Sequence, residues 1–105
     1  MLQNIQTLIG SYDPQISVSV DNVNNETDGA FDLIHIEVLP VEFSVERVLE
    51  VVESVRFSEY FDLISDEIFV NKFSVSVDIY CEYFTVSQLE VKNLIIDIVH
   101  ELHNQ

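Results

Sequence analysis

Ile16, Val18 and Val20 alternate with Ser17, Ser19 and Asp21, and the same SVSVD string returns at Ser74–Asp78. A period of two predicts half-buried strands, with valine to one side and serine to the other. The first strand covers 15–23. The polar loop 24–30 carries Asp28-Gly29, a strong turn signal. Ile34, Ile36 and Val38 then form the inner row of a second strand, with His35 and Glu37 outside. Two such runs around a turn predict an antiparallel hairpin. The longest alternation follows Lys72. Phe73, Val75, Val77, Ile79 and Cys81 are expected inside, and Ser74, Ser76, Asp78, Tyr80 and Glu82 outside.

Other segments change period. Leu2, Ile5, Leu8 and Ile9 have helical spacing, and Gly10 stops that helix, predicted over 2–10. Ser44 is a good N-cap for a helix from Val45 to Arg56. On its wheel Val45, Val48, Leu49, Val51, Val52 and Val55 share one side, and Glu46, Glu50 and Glu53 share the other. The stretch 57–71 is ambiguous: Tyr60–Ile64 reads as a helical turn or a strand, and Glu67–Val70 can open a hairpin with the run that follows. Thr85 and Gln88 form a capping box for the last helix, whose apolar arc is Val91, Leu94, Ile95, Ile98, Val99 and Leu102.

The order α-β-β-α-(β)-β-α predicts an α+β fold: a small antiparallel sheet of three or four strands with helices packed on one face. No linker divides residues 1–105, so one acidic domain is expected. The repeated SVSVD does not mark a duplication. The first copy runs into a polar loop and the second continues as a strand, and Glu42–Val45 aligns with Tyr83–Val86 at a different offset. Both copies meet one constraint, valine into the core and serine away from it.

Charge alters the picture more than composition does. Nineteen Asp and Glu face four Lys and Arg, for a net charge of −15. One-to-one pairing with Arg47, Arg56, Lys72 and Lys92 leaves most carboxylates without a cation. Self-repulsion then costs stability, most at low salt. The same charge argues against direct binding to nucleic acid or an anionic membrane, which require a basic footprint. With 48% hydrophobic residues the chain should nevertheless fold. No apolar run approaches a membrane span, and the first residues lack a basic segment followed by an apolar one, which predicts a cytoplasmic protein.

Candidate chemistry is sparse. The chain has two glycines and no phosphate loop, GxSxG, HExxH or CxxC pattern. Cys81 falls in an apolar phase and reads as a buried thiol. His100 and His103 stand three apart near a helix end, where interaction with the helix dipole accounts for them better than a metal does. Asn24, Glu26, Asp28 and Gly29 imitate half of an EF-hand loop, but His35 occupies the position of its final glutamate. The expectation is therefore no enzyme, cofactor or metal.

What remains is acid in rows. Glu46, Glu50 and Glu53 line one helix, and Asp62, Asp66 and Glu67 crowd the ambiguous segment. Glu90, Asp97 and Glu101 form another row on the last helix. Carboxylates spaced roughly 5–6 Å apart along a helix can meet the Lys and Arg that normally grip phosphates. The leading expectation is an inhibitor that occupies the basic surface of a nucleic-acid-binding protein. DNA mimics, anti-restriction and anti-CRISPR proteins and toxin-immunity proteins share this charge and size. The two rows Glu46/Glu50/Glu53 and Asp62/Asp66/Glu67 are the expected partner contacts. The alternative is a structural or assembly module that homodimerises through Leu94, Ile98 and Leu102, its charge serving solubility.

Overall fold

A computed structural model describes residues 15–104. The helix expected over 2–10 lies outside the described residues. Strands β1 (Gln15–Asn25) and β2 (Gly29–Leu39) come first, then helix α1 (Val45–Ser54) and a 3-10 turn, Phe57–Glu59. Strands β3 (Leu63–Val70) and β4 (Val75–Cys81) and helix α2 (Gln88–His103) complete the order. The four strands form one antiparallel sheet in the order β1-β2-β4-β3. The expected α+β class is thus observed, and the ambiguous stretch resolves into a 3-10 turn followed by a strand.

Both helices cover the same face of the sheet. Ile16, Val18, Ile34, Ile36, Val38, Val75, Val77, Ile79 and Cys81 meet Val48, Val51 and Val52 of α1 and Val91, Leu94, Ile95, Ile98 and Leu102 of α2 in one core. Phe57 and Phe61 close it beside the 3-10 turn. Most of these are β-branched residues, stiff at χ1 and suited to a pleated surface.

The two SVSVD copies flank β2, one on β1 and one on β4. Ser17 and Ser76 both lie opposite Glu37, and Ser19 and Asp78 both lie opposite His35. The copies are therefore two residues out of step with their own spelling. Their alternation matches because both supply valine to the same layer, not because they are equivalent positions.

Local chemistry corrects several expectations. The seven-residue loop is a three-residue turn: Asn25 pairs with Gly29, whose φ is +83°, a conformation that suits glycine. The Asn25 side chain accepts from the Asp28 N–H at 2.6 Å. Asn24 is a ladder residue opposite Ala30, so the calcium-loop pattern is dismantled into a hairpin. Phe73, expected inside, is 77% exposed, because Asn71–Ser74 forms the β3–β4 turn. There the Asn71 carbonyl side chain accepts from the N–H groups of Phe73 and Ser74. The capping box of α2 is Ser87 with Glu90, not Thr85 with Gln88. Ser87 Oγ accepts from the Glu90 N–H at 3.2 Å, and the Glu90 carboxylate accepts from the Ser87 N–H at 3.1 Å. Thr85 instead donates its hydroxyl to the Glu82 carbonyl at 2.6 Å. None of the helices among the described residues is long and apolar enough to cross a membrane.

Candidate functional site

Asp32 is one of several acids near the β1–β2 hairpin. It points into the helix-covered face and is fully buried. Its carboxylate accepts from Asn22 Nδ2 at 2.7 Å and from the backbone N–H groups of Phe84, Thr85 and Val86 at 3.0–3.2 Å. Four donors around one buried carboxylate make a structural anchor, tying β1 and β2 to the turn that enters α2. Phe84 in that turn holds φ at +59°, the left-handed region that a phenylalanine rarely adopts. No sequence signal distinguished Asp32 from its neighbours except its even phase with Ile34 and Ile36.

The open sheet face carries the serines, together with a histidine and an aspartate that pair. Ser19, His35, Asp78 and Glu67 lie in register across all four strands. His35 Nδ1 meets Asp78 Oδ1 at 2.5 Å, so its partner is across the ladder and not Glu37 on its own strand. Glu37 instead accepts from the Ser74 hydroxyl at 3.4 Å. Phe31 and Tyr80 pack toward one end of this face with ring centroids 5.5 Å apart and planes tilted by 57°.

A cleft of about 430 Å³ opens between α1, the 3-10 turn and α2, lined by Val51, Ser54, Val55, Arg56, Glu59, Tyr60, Asp97, Ile98 and Glu101. The Tyr60 hydroxyl donates to Asp97. That hydrogen bond, with burial and the charges of Asp97 and Glu59 adding to it, pushes the phenol up to about 12. Arg47 stands nearby on α1, donating to Glu50 at 2.6 Å and to the Glu101 carbonyl at 3.2 Å. It braces α1 against the end of α2 and interrupts the expected run of bare acid.

Glu46, Glu50 and Glu53 are exposed along α1, with Glu50 engaged by Arg47. Asp62 is exposed just before β3, and Asp66 and Glu67 are exposed in its middle. Leu94, Ile98 and Leu102 are 0–1% exposed and committed to the chain's own core, so they present no surface to a second copy. A helix lying over a sheet spends its apolar arc there first. The apolar residues that α2 leaves exposed are Leu89 and Ile96.

Cys81 is buried, and desolvation, aided by the charges of Asp32, Glu90 and Asp62, pushes its thiol up to about 12. A thiol so reluctant to ionise is a poor nucleophile. The histidines of α2 do not converge: His103 Nδ1 lies 2.9 Å from the Val99 carbonyl and its ring packs edge-on against Phe43. Among the described residues no three His, Cys, Asp or Glu side chains gather as metal ligands would. Compared with known proteins, the chain matches no family model, no curated protein and no solved structure.

Proposed function

We propose that the protein is a non-enzymatic acidic binding protein that inhibits a nucleic-acid-binding protein by occupying its basic surface. The observation that carries this reading is the exposure of all six nominated carboxylates on a chain with 19 acids and four Lys or Arg. Folding has not consumed that charge: of the six, Glu50 has an ion-pair partner and the others stand in solvent. An excess of like charge left on the surface opposes compaction, and a basic partner relieves it while desolvating few groups that are already satisfied. Asp32 marks the contrast, a carboxylate that serves the fold and is buried and fully bonded.

The test is affinity capture from host lysate at low and high salt, with nucleic acid added as competitor. The expected catch is enriched in nucleic-acid-binding proteins, is released by salt, and is displaced by the competitor. Glu46→Lys, Glu50→Lys and Glu53→Lys together should lower capture at least tenfold. Undiminished capture by a variant with all six carboxylates neutralised, or a catch without nucleic-acid-binding proteins, would refute the reading.

A further inference from the structure

Strand β3 is an edge strand, and no described strand pairs with its outer side. The Asn71 N–H bonds the Ser74 carbonyl at 3.0 Å, and the register continues from there as Val70 opposite Val75 and Phe69 opposite Ser76. Hydrogen-bonded and non-bonded pairs alternate along an antiparallel ladder. Ser65, Glu67 and Phe69 therefore turn their backbone groups toward β4, while Asp66, Ile68 and Val70 turn theirs toward the free edge.

Natural edges are usually blunted by proline, shortness, bulges or charged side chains, and the charges on this edge, Asp66 and Glu67, repel another acidic strand but not a basic one. β3 contains neither proline nor lysine, and its irregularity lies at Leu63/Ser65, which leaves 65–70 regular. Its side chains are unusually available: Ile64 is 52% exposed, Phe69 47% and Val70 52%. Asp66 and Glu67 occupy its middle, on opposite faces of the sheet, with no cationic partner among the described residues.

Resting on the proposed function, we infer that this edge receives an extended segment of the basic partner as a fifth strand. The segment carries two consecutive Lys or Arg residues, one for each of Asp66 and Glu67, next to apolar residues that cover Ile68, Phe69 and Val70. Backbone pairing supplies the affinity and the side-chain pattern the selectivity. Charge chooses this occupant over a second copy. A two-fold pairing centred on Asp66 or Glu67 sets each against its own like, and any register joins two chains of charge −15.

The probe is a capped peptide of sequence Val-Thr-Val-Arg-Lys-Val-Thr, with a Glu-Glu version of its central pair as control. Bound to the intact protein, it should slow amide exchange at Asp66, Ile68 and Val70 at least tenfold and leave Glu67 and Phe69 unchanged. Val70→Pro deletes one outward N–H without touching the β4 ladder and should weaken binding at least tenfold. Asp66→Lys with Glu67→Lys should do the same with the backbone intact. Equal binding of the Glu-Glu peptide, protection confined to α1, or protection at β3 that appears on concentrating the protein alone would overturn the inference. If Val70→Pro retains capture of nucleic-acid-binding proteins while the α1 lysine variant loses it, the edge inference falls and the proposed function stands. If Val70→Pro and the variant with all six carboxylates neutralised both retain capture undiminished, both fall.

Discussion

Asp32 and Asp66 sit on the same face of the same sheet, and their circumstances are opposite. Asp32 lies on β2, opposite Cys81, fully buried and bonded by four donors. Asp66 lies on β3, opposite Ile79, exposed and held by no donor or cation among the described residues. Identity and phase are shared, so neither explains the difference. Position in the sheet does: β2 is interior and roofed by the 82–86 turn, whereas β3 has water on one side. An interior carboxylate must find donors or cost several kcal/mol, and the turn supplies them. An edge carboxylate keeps its water and remains free to meet a partner. Acid in this chain thus has two uses, one that holds the fold and one that is left outward.

The comparison breaks most visibly at stability. Asp32→Ala strands three backbone N–H groups and the Asn22 amide, and should cost about 3–5 kcal/mol, whereas Asp66→Ala should stay within about 0.5 kcal/mol. Urea melts with matched slopes check both, and near-equal losses would erase the distinction. Next comes the interior of α2. Leu94→Ala should cost about 2–5 kcal/mol independently of protein concentration, while Leu89→Ala on the exposed side should be close to neutral. Concentration-dependent melting in Leu94→Ala alone would point back to a dimer through that residue.

A smaller effect belongs to the turn that Asp32 grips. Phe84→Gly removes the cost of the left-handed conformation and should raise stability by about 0.5–1 kcal/mol, read as a shift in melting temperature. A loss instead would mean that the Tyr83–Phe84 ring contact outweighs the strain. The least effect on folding concerns Asp97, a carboxylate that is exposed yet holds the Tyr60 hydroxyl. Absorbance titration should find one tyrosine ionising near 12, and Asp97→Asn should return it toward 10. Because the folded value is the higher one, this hydrogen bond supports the fold below pH 10 and is lost as pH rises through about 12.

Much of the architecture was legible from periodicity. Alternation located β1, β2 and β4, and the arc Val91–Leu102 located α2, because burial on one face writes its period directly into the residue order. Residues 57–71 were legible only in part: the hairpin that Glu67–Val70 opens with the next run is observed, with Val70 opposite Val75. An edge strand exposed on both faces carries no strict alternation, so its start near Leu63 looked as much like a helical turn as a strand. Turn chemistry was misread where two candidates competed, as with Thr85 and Ser87. The choice depended on which hydroxyl was already held, and Thr85 lies beside the carboxylate of Asp32.

The candidate surface divides in the same way. Sequence alone determined the excess of acid, since 19 carboxylates cannot be neutralised by four Lys and Arg in any fold. It also determined that valine and isoleucine would face inward in two alternating rows. Tertiary structure decided which acid became interior, because only the packing of the 82–86 turn over β2 brings three N–H groups to Asp32. It decided as well that Leu94, Ile98 and Leu102 belong to the core and that β3 has an open edge. Those outcomes depend on which element ends beside which, and strand order is set by contacts far apart in the chain rather than by any local pattern.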